Sequence, residues 1–278
     1  MTRIRIHEVG PRDGLQVEKQ VVPTETKLGW LRQLITSGVD IVQVGSFVHP
    51  EKVPQMADTD ALFRELKANR PAGAAVLSGL VLNERGLERG LACGVEMFCL
   101  GASASETHSR KNTGMGTDDA TRRIVGAAIE ARRAGCDVQV SVQSAFGCGF
   151  EGAIAEERVM QIVQAYLDAG LTAISLADTA GHAHPSQVAR YVRRILELEP
   201  TASVTAHIHN TYGVGMANVF AAINAGATSI ETSFGGLGGC PFTRVAAGNV
   251  ATEDFVHALQ RDGERTDINL ATLIAVAR

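Results

Sequence analysis

Five short segments punctuate the chain in the same way. Gly38-Val39-Asp40, Gly94-Val95-Glu96, Gly135-Cys136-Asp137, Gly170-Leu171-Thr172 and Gly226-Ala227-Thr228 each end a helical pattern and open an apolar run. A glycine at that place supplies the left-handed residue that stops a helix, so each segment reads as a helix terminus feeding a strand. The helix before Gly170 carries its buried stripe at helical period, on Val159, Ile162, Val163, Tyr166 and Leu167. The gaps from Gly38 to Gly94 and from Gly170 to Gly226 are equally long, and each holds one more strand, entered past Pro71 or Pro200. The series predicts eight strands, near residues 4–9, 41–46, 75–81, 97–102, 138–143, 173–178, 203–209 and 229–234, with helical patterns between them and after the last. Eight βα units imply an α/β fold, a (β/α)8 TIM barrel with a parallel closed sheet. A doubly wound open sheet fits less well, because no Gly-x-Gly-x-x-Gly follows the first strand and no change of composition marks a second domain. At 278 residues and 45% apolar, the chain is expected to form one domain over 1–278 around a full core.

A formal charge of -4 without a basic block argues against a nucleic-acid surface, and small-molecule chemistry is the better expectation. Met1 to Ile6 has no apolar signal core, and no later run approaches the roughly 20 apolar residues that span a bilayer. The expectation is a soluble cytoplasmic protein with no membrane partner. Five cysteines, odd in number and without a Cys-x-x-Cys, exclude a disulfide framework or a sulfur-ligated zinc as the organising feature.

Barrel closure makes strands 7, 8 and 1 neighbours, and barrel chemistry sits at the rim formed by the C-terminal strand ends. In His207-Ile208-His209-Asn210 two imidazoles stand two residues apart on a predicted strand, so they project from one face while Ile208 points the other way. The same arc of the rim receives Arg12 and Asp13 after strand 1, Asp178 at the end of strand 6, and Asn249 after strand 8. Asp13, His207, His209 and Asn249 form an oxygen and nitrogen donor set suited to a divalent ion, Mg2+, Mn2+ or possibly Zn2+. Taken singly, Arg12-Asp13 also reads as a local ion pair and Asn249 as a helix N-cap. Gly235 to Pro241 places four glycines in five positions and ends on Cys240, as a mobile flap carrying an acid–base thiol would. Ser109-Arg110-Lys111-Asn112, after strand 4, offers two adjacent cations for a phosphate or pantetheine group, or simply a solvated charge pair. His49, His108, His182 and His184 fall in rim-side loops and are expected mostly at the surface.

These segments together resemble the 3-hydroxy-3-methylglutaryl-CoA lyases, within the larger group of pyruvate-carboxyltransferase-like metal barrels. The resemblance is carried by Glu8 to Gln16, Ser46-Phe47-Val48 with Val53 to Met56, Ser175 to Thr179, His207 to Gly213, Gly236 to Pro241 and Gly248 to Asp254. It implies retro-Claisen cleavage of an acyl-CoA on a divalent metal held by Asp13, His207, His209 and Asn249. It also implies catalytic places for Arg12, Asp178, His207 and Cys240, CoA contacts at Arg110 and Lys111, and a homo-oligomer, a dimer. Two positions depart from the pattern. Gln43 stands where these lyases carry a strand-2 glutamate, and Asn210 where they carry an aspartate after the second histidine. With two carboxylates fewer, the site suits a weaker-held cation or a more highly charged substrate. An aldolase or Claisen-type synthase acting on 2-oxo acids, and a non-catalytic acyl-CoA-binding barrel, are the alternatives these departures leave open.

Overall fold

The computed structural model describes residues 3–239 and 248–278. Eight parallel strands close into one barrel in chain order: β1 (Arg5–Glu8), β2 (Ile41–Ser46), β3 (Val76–Leu80), β4 (Met97–Ser103), β5 (Asp137–Gln143), β6 (Ala173–Asp178), β7 (Ser203–Ile208) and β8 (Ser229–Thr232). The ring is sealed by β1 on β8, with His7 opposite Glu231 and Glu8 opposite Thr232. All eight lie within a residue or two of the expected strands.

Helices α1 (Thr24–Ser37), α2 (Thr59–Ala68), α3 (Glu84–Cys93), α4 (Glu106–Thr113) and α5 (Thr117–Arg133) fill the first half of the outer layer. Then α6 (Glu156–Asp168), α7 (Pro185–Leu198), α8 (Gly215–Ala225), α9 (Thr252–Arg261) and α10 (Leu270–Ala277) complete it. α7 shows why these segments are helical: proline opens the first turn, where no amide partner is needed, and Val188, Tyr191, Val192 and Ile195 bury one stripe. The main core lies between helices and barrel, where the outward residues of the strands, such as Val140, Val142, Val204 and Ile208, are sealed. A second, small cluster of Ile41, Leu80, Met97 and Cys99 fills the inside of the barrel. No helix among the described residues is long and apolar enough to cross a membrane.

The five helix-stopping glycines all have positive φ, as the repeat requires. Two of them separate backbone strain from crowding. A Cβ on Gly38, at φ 98°, would sit 2.9 Å from the Asp267 carbonyl oxygen, whereas one on Gly135, at φ 83°, would meet nothing within 4 Å. Gly135→Ala is therefore expected to cost ~1–2 kcal/mol from the left-handed backbone alone. Gly38→Ala should cost about twice that, because the chain at Asp267 must also give way. Urea denaturation of the two variants measures the difference; equal losses would show that crowding at Gly38 is relieved without cost.

Candidate active site

The turn after β1 is fixed by a carboxylate beneath it. Glu8 accepts hydrogen bonds from the amides of Gly10 (2.7 Å) and Phe234 (3.1 Å) and from the Thr252 hydroxyl (2.6 Å), tying strands 1 and 8 to the start of α9. Burial pushes this carboxyl up to about 7. The Val9 carbonyl then accepts the amides of Arg12 (3.1 Å) and Asp13 (2.7 Å), and the tight coil of Gly10–Gly14 carries both side chains to the barrel mouth.

On β7 and just past it, His207 and His209 line the cavity while Ile208 is sealed in the outer core, as the two-residue period demands. Residues 248–251 are stitched between the ends of β7 and β8. Asn210 donates its amide to the Gly248 carbonyl (2.8 Å), Val250 to Ile208 (3.2 Å) and Ser233 to Val250 (3.1 Å). That placement sets Asn249 over the mouth, where its side-chain amide donates to Asp13 Oδ2 (2.8 Å) and to the Leu237 carbonyl (3.0 Å). Asn249 is not the helix cap its sequence context also allowed, since Ala251 occupies the N-cap of α9.

Three donors converge. His207 Nε2 and His209 Nε2 lie 3.1 Å apart, and Asp13 Oδ2 is 3.8 Å from the first and 3.9 Å from the second. The three side chains are grouped closely enough to hold one metal ion. The Asn249 Oδ1 is buried and has no hydrogen-bond partner among the described residues, so a fourth donor, an oxygen, stands beside them uncommitted. Burial, with repulsion from His207, pulls His209 down to about 4, which leaves a neutral ring at physiological pH. Burial alone would raise Asp13, but Arg12, the two histidines and the Asn249 amide bring it to about 2, an ionised ligand. Behind His207, its Nδ1 donates to Glu231 Oε2 at 2.7 Å, which fixes the ring with Nε2 toward the centre. These residues fit a divalent ion bound by mixed nitrogen and oxygen donors.

The cavity beside this corner is about 580 Å³. Arg12 points into it, its Nε bonded to Gln43 Oε1 and its Nη1 to Asp13 Oδ1 at 2.5 Å. Gln43 is buried on β2 and accepts the guanidinium as a neutral partner where a carboxylate would have added charge. Cys99 also lines the cavity, but burial pushes its thiol up to about 12, so it is not a ready nucleophile.

Other expected residues are placed differently. Asp178 ends β6 with its side chain off the cavity wall, accepting the Ala183 amide at 3.1 Å; burial raises it to about 7 and its Oδ2 has no hydrogen-bond partner among the described residues. Arg110 is exposed and paired to Glu106 at 2.7 Å, and Lys111 sits 4.8 Å from the centre of the Phe150 ring. It is their neighbours His108 and Asn112 that reach the cavity, so one of the four rim histidines expected at the surface is instead buried in the wall. Cys240 lies outside the described residues, and with it the far end of the expected flap. The residues that sequence reasoning missed are inside the barrel: Glu231, Gln139 bonded to it, and His7, whose Nδ1 approaches Glu231 Oε1 at 3.4 Å. Their signal was the polar alternation of Gln139, Ser141 and Gln143 among the valines of β5, and a glutamate midway along β8.

Comparison with known proteins places these features in company. A family model described as HMGL-like matches residues 3–278. The chain is 39% identical over 284 residues to the (R)-citramalyl-CoA lyase of Chloroflexus aurantiacus, covering 100% of this chain and 90% of that one. It is 34% identical over 276 residues to the hydroxymethylglutaryl-CoA lyase YngG of Bacillus subtilis, covering 99% and 91%. The structure of an HMG-CoA lyase from Acinetobacter baumannii in complex with coenzyme A and 3-methylmalate superposes with a TM-score of 0.92 at 36% identity, over 99% of this chain and 89% of that one.

Two outcomes follow from the geometry. Titrated with Mn2+ and followed by the signal of the free ion in electron paramagnetic resonance, Glu231→Gln should bind ~10–100-fold more weakly than the parent. Asp13→Ala should lose binding altogether, and retention of parental affinity in both would remove the metal centre. Asp178 is protonated more readily in the folded chain than in the unfolded one. The stability it contributes is therefore full below about pH 4 and lost as pH rises to about 7. Asp178→Asn should flatten the stability profile across that window, by on the order of 3 kcal/mol in urea denaturation at the two ends.

Proposed function

The chain belongs to the HMGL-like family of carbon–carbon lyases, and from that premise we propose that it cleaves a 3-hydroxy-3-methylglutaryl-CoA or a related 3-hydroxy-3-alkyl acyl-CoA to acetyl-CoA and a keto acid. The observation that carries this reading is the meeting, at one cavity, of the Asp13, His207 and His209 donors with the Arg12 guanidinium. A divalent cation, Mg2+ or Mn2+ with Zn2+ as the alternative, would be held by those three residues and Asn249.

The reaction removes the hydroxyl proton, turns that C–O bond into a carbonyl, and breaks the adjacent C–C bond with its electron pair going to the carbon beside the thioester. That carbon then takes up a proton to give acetyl-CoA. Asp13 and Glu231, the carboxylates on the cavity wall, are both held ionised, Asp13 at about 2 and Glu231 well below its usual range despite burial. Neither is a strong base. His207 is no better placed for that task while it serves as a ligand, because Nδ1 is committed to Glu231 and only Nε2 faces the cavity. The hydroxyl proton then has to pass to water in the open cavity, and its loss has to be driven by lowering the hydroxyl's own pKa, which is the chemistry a divalent cation supplies when bound. Arg12, oriented by Gln43 and Asp13, faces the oxygen on which enolate charge develops. For the proton returned to carbon we propose Cys240, and for the phosphates of CoA, Arg110 and Lys111 at the mouth. Asp178 acts from behind the wall, holding the turn after β6.

Purified protein given 3-hydroxy-3-methylglutaryl-CoA or citramalyl-CoA with Mg2+ should release acetyl-CoA with acetoacetate or pyruvate, read by mass, and chelation should stop it. Arg12→Gln should lower kcat by ~100–1,000-fold, as removal of a charge-stabilising donor does elsewhere. Turnover of a 4-hydroxy-2-oxo acid without CoA would instead point to an aldolase.

A further inference from the structure

The wall across the barrel from Arg12 is hollowed in a way that metal chelation and enolate stabilisation do not use. β4, β5 and β6 are in register with Gly101 beside Ser141 and Ser141 beside Ser175. Ser141, Gln143 and Ser175 line the cavity. A Cβ on Gly101 would lie 2.0 Å from the Ser141 hydroxyl and 3.3 Å from the Gln143 amide nitrogen, so any other residue there would drive those side chains into the open space.

Ser175 is 1% exposed, and its hydroxyl has no hydrogen-bond partner among the described residues. Its registered neighbour on β7, Thr205, donates to Gln139 Oε1 at 3.1 Å, and Gln139 in turn donates to Glu231. That network closes next to Ser175 without including it. A buried hydroxyl is costly unless paired, so a cavity wall that keeps one unpaired is shaped for a group that brings its own donor or acceptor. The cations of the cavity wall, Arg12 and Lys52, follow β1 and β2, on the other side, while the ionised Glu231 belongs to this cavity as well. A carboxylate would find no cation in the recess, and a bare alkyl group would leave Ser175 unsatisfied.

We propose that the recess of Gly101, Ser141, Gln143 and Ser175 is a subsite for an uncharged, hydrogen-bonding substituent on the carbinol carbon of the acyl-CoA, such as hydroxymethyl where methyl is the smallest occupant. The assignment rests on the lyase reading, since a substrate held between Arg12 and the Asp13, His207 and His209 corner turns its remaining substituent toward β4, β5 and β6.

Three CoA esters of 3-hydroxyglutarate test it, carrying methyl, ethyl or hydroxymethyl at C3, each assayed with Mg2+ on the full chain. The hydroxymethyl ester should exceed the ethyl ester in kcat/KM by ~10-fold, the worth of a recovered hydrogen bond to a buried hydroxyl. In Ser175→Ala that ratio should fall to near one, and in Gly101→Ala both larger esters should lose ground to the methyl ester. A ratio unchanged by Ser175→Ala, or a parent that prefers ethyl, overturns the subsite while leaving the lyase reading intact. If neither these esters nor citramalyl-CoA is cleaved, the lyase reading fails instead. The subsite is then judged by calorimetric Kd values for the same esters, where the ~10-fold preference and its loss in Ser175→Ala are still required.

Discussion

A buried carboxylate facing a histidine holds the rest of this molecule's chemistry in place. Glu231 is nearly sealed inside the barrel, an environment that penalises its charge, yet it is kept ionised by the His207 Nδ1–H at 2.7 Å and by His7. Such a pair is a poor source of stability, because desolvation consumes most of what the attraction returns. What it supplies is orientation. With Nδ1 occupied, the imidazole can present only Nε2 to the mouth, and the convergence with His209 and Asp13 depends on that single tautomer.

Closure of the sheet makes that pairing possible. His207 and Glu231 are registered partners on β7 and β8, and Glu231 is the registered partner of His7 on β1. The same closure lets Glu8 collect donors from the turn after β1, from Phe234 just past β8 and from the first turn of α9. Residues more than two hundred positions apart thus share one small volume, and the metal donors come from three separate connections fastened to it. An open sheet of the same strands in the same order would leave Asp13 at one edge and the two histidines with Asn249 at the other.

How much of this was legible depended on whether the signal was local. The glycines before five of the strands announce themselves because a left-handed residue is needed at those helix ends, and the strands followed from their spacing. His207 and His209 were legible for the same reason, since period two needs only the strand itself. Glu231 was not, although it is two residues from the end of an apolar run, because an inward charge on a barrel strand has meaning only once its partner across the sheet is known. Asp178 shows the opposite failure: its motif was recognisable, but whether a strand-end side chain turns inward or toward the helices is set by the loop that follows, here by the Ala183 amide it accepts. Which of the four rim-side histidines would leave the surface was likewise not local: α4 begins at Glu106, just after β4, and brings His108 to the cavity wall.

The position where the chain departs from the pattern the resemblance implies lies directly beside the Arg12 guanidinium. A glutamate at position 43 would oppose the Arg12 guanidinium with a second negative charge beside Asp13; glutamine supplies the same acceptor oxygen without it. Geometry is therefore preserved while electrostatics are not, and Arg12 keeps more of its positive potential for an oxygen in the cavity. In a low-dielectric site that difference acts on the charge developing during C–C cleavage, and equally on any anionic group of the bound acyl chain. The amide at Gln43 thus trades acid–base capacity for field, which suits a cavity whose wall on β5 and β6 carries neutral polar groups, Ser141, Gln143 and Ser175.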